Sequence, residues 1–380
     1  MQKLISKQRE GMALALAMFA IVVIGALIAG AFFASNQDFR IGRNSLIAQR
    51  AFSSAEFGLN KTMAEWDQSL NLAIAVGKDT TFSYSTGDSG HADVRITRLN
   101  DYTYWVVSEG SAAVGTTQEV RRRTSSVMRL AYPAIKVGGA VTLAGGGTVK
   151  GSAIVSGINA SPTGWNCASF PGRDTTGVAY APGTTLSIQK PSNVVGVPQA
   201  YADPNAAVDG NYIKFGDESW MTLVKNANVT INSGTMSPFP TGTATTCDKT
   251  LSSNWGEPWR TPALGTIGGC TNYFPIIYSS TDLSVNQGRG QGILLVEGSL
   301  TVNGRFEWDG LIIVKDDINK GNGTPVITGA VMARNANIYD AGTAILGNAT
   351  FQYSKCALES ALRGSSRLLP AKKRAWAEMW

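Results

Sequence analysis

MALALAMFAIVVIGALIAGAFFA, residues 12–34, is 23 residues without a charge, inside an uncharged run that extends from Met12 to Gln37. As a helix rising ~1.5 Å per residue it would measure roughly 35 Å, enough for a bilayer hydrocarbon core of ~30 Å. A cleaved secretory signal has a shorter apolar region, usually ~7–15 residues, with a small-residue cleavage site on its far side; here Phe32-Phe33 stands near the far end of a longer block. Lys3, Lys7 and Arg9 precede the block, so the positive-inside rule places the leader in the cytoplasm and roughly 340 residues outside. The expected topology is one span with the bulk of the chain exported.

The helical pattern continues past the span. No proline interrupts Asp38 to Trp66, and Ile41, Ala48, Phe52, Ala55, Leu59, Met63 and Trp66 recur at helical spacings that trace one expected packing face. A continuous helix from Met12 to Trp66 would be on the order of 80 Å long, apolar in its first half and amphipathic in its second. Such a helix reads as a membrane segment whose outer half is the spine of a folded domain.

Two stretches carry a family resemblance. Lys7-Gln8-Arg9-Glu10-Gly11-Met12-Ala13-Leu14 resembles the leader and cleavage site of a type IV prepilin, and Gln49-Arg50-Ala51-Phe52-Ser53-Ser54-Ala55-Glu56-Phe57-Gly58-Leu59 resembles the end of the N-terminal helix in PilX-like minor pilins. The resemblance covers about residues 1 to 130. It implies cleavage after Gly11 by a prepilin peptidase and N-methylation of Met12. The chain departs from major pilins in beginning its mature part with Met rather than Phe, and in carrying Leu16 where they carry a glutamate. That carboxylate can neutralise a neighbouring subunit's terminal amine in a low-dielectric fibre core, where an unpaired charge is costly. Its absence, shared with PilX-like and K-type pseudopilin-like proteins, favours an initiating or tip position over a repeated one.

Export agrees with the cysteine pattern. Cys167, Cys247, Cys270 and Cys356 all follow the span, and none has the close spacing of a zinc or thioredoxin-like motif. An even count in an oxidising compartment favours disulfides, with three connectivities open and Cys247 with Cys270 the preferred local pair. The single histidine, His91, sits in the loop-like Gly87-Asp88-Ser89-Gly90-His91, which argues against histidine-dependent metal or triad chemistry. A net charge of +6 falls to +4 if the leader is removed, too small an excess on this chain to imply nucleic acid as a partner.

Residues 80 to 130 read as an antiparallel meander: Ala92 to Arg98 alternates through Val94 and Ile96, Tyr102 to Val107 is aromatic and β-branched, and Val120 to Leu130 is a third run. Asn100-Asp101 marks the turn between the first two. Arg121-Arg122-Arg123 reads as the solvated face of an edge strand. A spine helix covered by such a sheet is the plan the resemblance implies.

Beyond Val137, glycines at 138, 139, 145, 146, 147 and 151 punctuate short apolar strands. From about Gly157 to Pro275 the chain looks irregular, holding 11 of its 14 prolines with Trp165, Trp220, Trp255 and Trp259, so an insertion at about 157–288 is expected. Regularity then returns: the pentapeptides beginning Gly292-Ile-Leu-Leu-Val, Gly310-Leu-Ile-Ile-Val, Gly329-Ala-Val-Met-Ala and Gly347-Asn-Ala-Thr-Phe start 18, 19 and 18 residues apart. A short apolar strand after each glycine at this period is the signature of a solenoid whose coils stack on one another. At least four coils are expected, with Gly139 to Gly157 a further coil or a cap; an ordinary β-sandwich is the alternative.

Exported β-helices include carbohydrate-active enzymes, so the carboxylates Glu297, Glu307, Asp309, Asp316, Asp317 and Asp340 are the candidates for such chemistry, with Trp308 as a sugar platform. Their offsets from the repeated glycines differ, which favours solvated turns over a stacked catalytic face. Asp316-Asp317-Ile318-Asn319 offers oxygen ligands but lacks the spacing of a known calcium loop. No cofactor is expected. The tail RGSSRLLPAKKRAWAEMW, residues 363–380, reads as a short basic aromatic helix after Pro370 or as a disordered end.

The expected architecture is α+β: a leader at 1–11, a pilin helix at 12–66, a small antiparallel sheet at 67–132, an all-β solenoid head at 133–362 and a tail at 363–380. The resemblance implies a non-enzymatic minor pilin stored in the bacterial inner membrane and then placed in a type IV pilus at the cell surface. Its partners would be other pilins, the assembly machinery, the prepilin peptidase and, for adhesion through the tryptophan-rich loop region, a surface glycan or protein. The alternatives are a membrane-tethered carbohydrate-active β-helix enzyme and a pseudopilin of a type II secretion system.

Overall fold

The computed structural model describes residues 4–87, 90–232, 234–261, 265–321, 323–339, 349–371 and 376–379. The chain forms two compact units, one of Met1–Glu65, Ile74–Arg129 and Pro370–Trp380, the other of Trp66–Ala73 and Leu130–Leu369.

In the first unit a single helix runs from Leu4 to Ala64. Its apolar part, from Met12, is long and apolar enough to cross a membrane, and nothing covers it. Burial begins at Ile47 and continues through Ala51, Ser54, Ala55, Gly58, Leu59 and Thr62. This face is rotated from the expected one. Ala55 and Leu59 lie on it, but Ala48, Phe52 and Met63 are only partly buried, Ile41 is 64% exposed, and Trp66, though buried, lies beyond the helix end and in the other unit. The reason is close approach. A Cβ added at Gly110 would collide with the backbone at Ala51 and Ala55, and one at Gly58 would meet Ala92 and Ser108, so small residues occupy the contact and larger ones flank it.

Four strands of the sheet against this helix run antiparallel in sequence order: β1 (Asp79–Gly87), β2 (Gly90–Arg98), β3 (Thr103–Ala112) and β4 (Val120–Ala131). The first of these was not expected. On β2, Ala92, Val94 and Ile96 are buried while Asp93 and Arg95 are exposed, which is the alternation of a sheet covered on one side. His91 belongs to β2 rather than to a loop, its Nδ1 3.0 Å from Ser111 Oγ and its Nε2 3.2 Å from Asp93; Asp88 and Ser89 lie outside the described residues. The tail is neither helical nor an irregular end over Trp376–Met379, which pairs antiparallel with β4 from Arg123 to Ser126 and so covers part of the expected edge. Lys372, Lys373, Arg374 and Trp380 lie outside the described residues. Arg121 and Arg123 both reach Glu109 on β3, and Arg121 also meets Glu119.

The second unit is mostly β, with a large sheet whose pairings are parallel. Gly288–Val296 pairs with Phe306–Lys320 and that strand with Val326–Tyr339, so that Gly292, Gly310 and Gly329 stand side by side. The three have φ of +113°, +141° and +141°, and a Cβ on Gly310 or Gly329 would strike the carbonyl oxygen of the glycine in the preceding strand. The repeated glycine is therefore a steric requirement of the stack. The fourth repeat does not follow: Gly347 is outside the described residues, and Thr350–Tyr353 pairs with Val326–Gly329 with Tyr353 opposite Gly329.

The order of the rows is not the order of the chain. Gly139–Leu143 and Gly147–Lys150 pair with Val326–Tyr339 on one side and with Thr176–Tyr180 and Leu186–Ile188 on the other, so the segment expected as an extra coil or cap is an interior row. From there the chain runs outward to Val194–Val195 and Ala200–Ala202, then resumes at the opposite end with Val229–Ile231 and returns through Ile276–Ser279. The expected insertion at about 157–288 thus supplies many of the rows. Its strands are two to five residues long and separated by proline-rich turns, too short to show a period.

The runs ILLV and LIIV are buried on both faces. Leu294, Val296, Ile312, Val314, Val331 and Ala333 join one core with Val285, Val302 and Ile318. Ile293, Leu295, Leu311, Ile313, Ala330 and Met332 face a second core closed by Leu358, Ala361 and Leu362 of the helix Lys355–Gly364 and by Trp220 and Leu223. That helix starts at Ser354, whose side chain accepts from Ala357 N.

Candidate functional site

Between Met236 and Ile276 the chain leaves the stack and folds back over the strands Gly288–Val296 and Phe306–Lys320. Cys247 and Cys270 are disulfide-bonded within this excursion, the expected local pair; Cys167 is bonded to Cys356, at the start of the helix Lys355–Gly364. The excursion is held to the strands by a run of charged and aromatic side chains from Glu257 to Arg260.

Glu257 is fully buried and forks onto Arg289, with Oε1 2.8 Å from Nε and Oε2 2.9 Å from Nη2. It also accepts from the backbone N–H groups of Trp259 and Ile267, so its charge is fully engaged. The Arg289 guanidinium lies 3.9 Å from the Trp259 ring centroid, and Trp259 Nε1 donates to Glu307 Oε2 at 2.6 Å. Arg305 meets the other oxygen of Glu307 at 2.7 Å. Next to them Arg260 donates to Gln291 Oε1 at 3.0 Å and is covered by the Trp165 ring at 4.2 Å.

Gln291 and Asp309 stand opposite each other in register, and Asp309 is in turn opposite Thr328. Asp309 is partly buried by surface area, yet enough protein surrounds its carboxyl that desolvation pushes the pKa up to about 7 against the pull of Arg260. Burial lowers Arg260 to about 10, with Asp309 and Glu257 acting the other way.

A pocket of about 190 Å³ opens where these groups reach the surface, lined by Phe239, Trp259, Gln287, Gly288, Arg289, Arg305 and Glu307. Of the other tryptophans of the region, Trp220 and Trp255 are buried, and Trp165 is engaged with Arg260 and with Pro258, whose carbonyl accepts from its Nε1. Trp308 is also fully buried, set edge-on to Trp255 at 6.1 Å, so it cannot serve as the sugar platform expected of it.

The candidate carboxylates are dispersed. Glu297 accepts from Trp220 Nε1 and from Lys315, each at 2.7 Å. Asp316 lies 2.9 Å from Arg334, and the Asp317 backbone donates to Ser299 Oγ. Asp340 is outside the described residues. Among the described residues no group of three or more His, Cys, Asp or Glu side chains is placed to hold a metal ion.

At the other end of the chain, Gly11 and Met12 lie within the long helix, and Met12 and Leu16 are 66% and 65% exposed. Sequence reasoning reached the tryptophan-rich stretch that holds Trp259 but not the Glu257-Pro-Trp-Arg260 cluster within it, which has no periodicity. Its one local signal is the density of charged and aromatic residues between two cysteines. No family model, curated protein or solved structure matches this chain.

Proposed function

We propose that this chain is a PilX-like minor pilin, an initiating or tip subunit of a type IV pilus whose second unit is a β-solenoid head. The observation that carries the reading is the long helix, apolar and uncovered over its first half and packed through Ala51, Ala55 and Gly58 against an antiparallel sheet over its second. That division of labour fits a subunit stored in the inner membrane, N-terminus cytoplasmic, and later packed by the same apolar half among sibling helices. Prepilin peptidase would cut after Gly11 and methylate Met12; Leu16, in place of a carboxylate, suits a terminal position in the fibre.

The solenoid reading is supported by the parallel registers near 18 residues and by the single core shared by Ile312, Ile318 and Phe306, which one coil turning about its axis would bring together. The partners are other pilins, the pilus assembly machinery and the peptidase, with no role for nucleic acid or enzymatic chemistry. A head of this size suits the fibre end, where it would contribute to adhesion.

The test is N-terminal sequencing and mass measurement on protein from membranes and from sheared surface fibres, with and without the peptidase. A peptidase-dependent start at N-methylated Met12 is expected. An intact Met1 found only in membranes would overturn the pilin reading.

A further inference from the structure

The pocket beside the disulfide-bonded excursion combines an exposed aromatic ring with guanidinium edges unpartnered among the described residues. Phe239 is 44% exposed although it stands on a structured rim, and Arg305 is 76% exposed. Arg289 and Arg305 each use Nε and Nη2 on a glutamate, which leaves the Nη1 edge of both without a hydrogen-bond partner among the described residues. Gln287 adds an exposed amide at the same opening.

The arrangement is also rigid. Arg289 is clamped between the Trp259 ring and buried Glu257, and Glu307 is held by Trp259 Nε1 and Arg305 together. A pyranose ring presents an apolar C–H face that packs on an aromatic side chain and an equatorial rim that hydrogen-bonds to planar polar groups. Because both glutamates are already occupied, the unused capacity at the pocket is in N–H donors. Those donors are guanidinium edges, which match a carboxylate by geometry, although the charge of each guanidinium is already balanced by its glutamate.

We propose that this pocket is a glycan subsite for a uronate, a pyranose bearing a carboxylate. The sugar's apolar face lies on Phe239 and its carboxylate on the Nη1 edges of Arg305 and Arg289, with Gln287 meeting a ring hydroxyl. The inference deepens the adhesive role in the proposed function and rests on that reading for the ligand's being met outside the cell, whereas the pocket's chemistry does not depend on it.

The experiment uses the full chain in detergent, with trigalacturonate and its methyl ester as probes, read by saturation-transfer NMR and calorimetry. The free acid should bind and its ester should bind at least about tenfold more weakly, because esterification removes the charge and leaves the ring. Phe239→Ala and Arg305→Gln, both at exposed positions, should each weaken acid binding by about tenfold or more, with near-ultraviolet circular dichroism unchanged as the check on folding.

Equal binding of acid and ester would overturn the carboxylate assignment. No binding of either probe, or binding indifferent to both substitutions, would overturn the subsite. Since binding is read on purified protein and processing at the N-terminus, a chain correctly cut at Met12 that ignores the uronate sinks the subsite alone.

Discussion

The antiparallel sheet and the parallel stack bury apolar residues by different rules. In β2 every second residue is covered and its neighbours meet water, so Asp93 and Arg95 are tolerated between Val94 and Ile96. In the stack, Leu311 to Val314 are buried on both faces, one by the shared interior and the other by the helix Lys355–Gly364. A sheet with one free face spreads its specificity over alternate positions; a stack with none concentrates it where the backbones touch. Glycine marks both contacts: Gly110 lets the sheet approach the helix, and the column at 292, 310 and 329 lets the strands bend in register.

Gly310→Val is expected to break the stack. It places a β-branched residue at φ +141° against the Gly292 carbonyl oxygen, with the short Ala361 side chain at 3.0 Å and no flexible side chain to yield. The loss should exceed about 4 kcal/mol, read as disappearance of the cooperative near-ultraviolet melt of the tryptophan core. An unchanged melt would mean that the column is not a steric constraint.

Gly110→Val is expected to act on the other side of the comparison, forcing the sheet off Ala51 and Ala55 at a cost of about 2–4 kcal/mol. Gly42→Ala, in the same helix but with nothing near an added Cβ, should instead be neutral or gain up to about 1 kcal/mol. Equal effects of the two in chemical denaturation would show that close packing at Gly110 does not govern the first unit.

The smallest expected effect sharpens the comparison electrostatically. Asp309 has a native pKa of about 7 where an unperturbed aspartate has ~3.9, so between those values the folded state binds more protons than the unfolded one. Stability should therefore fall as pH rises through that window. Asp309→Asn should remove this slope and gain about 1 kcal/mol at pH ~8 while changing little at pH ~4, a modest figure because Asp309 is only partly buried and Arg260 offsets the cost. A variant less stable at pH ~8 would show that the Arg260 attraction outweighs desolvation.

Much of this was readable along the chain wherever a signal is local. The apolar block at 12–34 determined the uncovered helix, the alternation at 92–96 the covered face of β2, and the first three glycines of the repeat the parallel register. The local disulfide was legible from its short separation, whereas Cys167–Cys356 spans 189 residues and had no such cue. The helix face differs from the one the periodicity marks because a close approach is made by small residues, Ala51, Ala55 and Gly58, rather than by the large apolar ones. The pocket escaped because its side chains come from three separate segments, Phe239, Glu257–Arg260 and Gln287–Glu307.

The sequence by itself determined which segments are apolar on one face, on both faces or all round, since these are periodicities of 2, none and a long unbroken run. Only the tertiary structure decided that Gly139–Lys150 lies beside Val326–Tyr339, and that Arg289 is gripped by Glu257 from another turn. Parallel rows carry no mark of which neighbour they will meet. That choice is made by backbone hydrogen bonds and side-chain fit across many residues, and those exist only once the chain is folded.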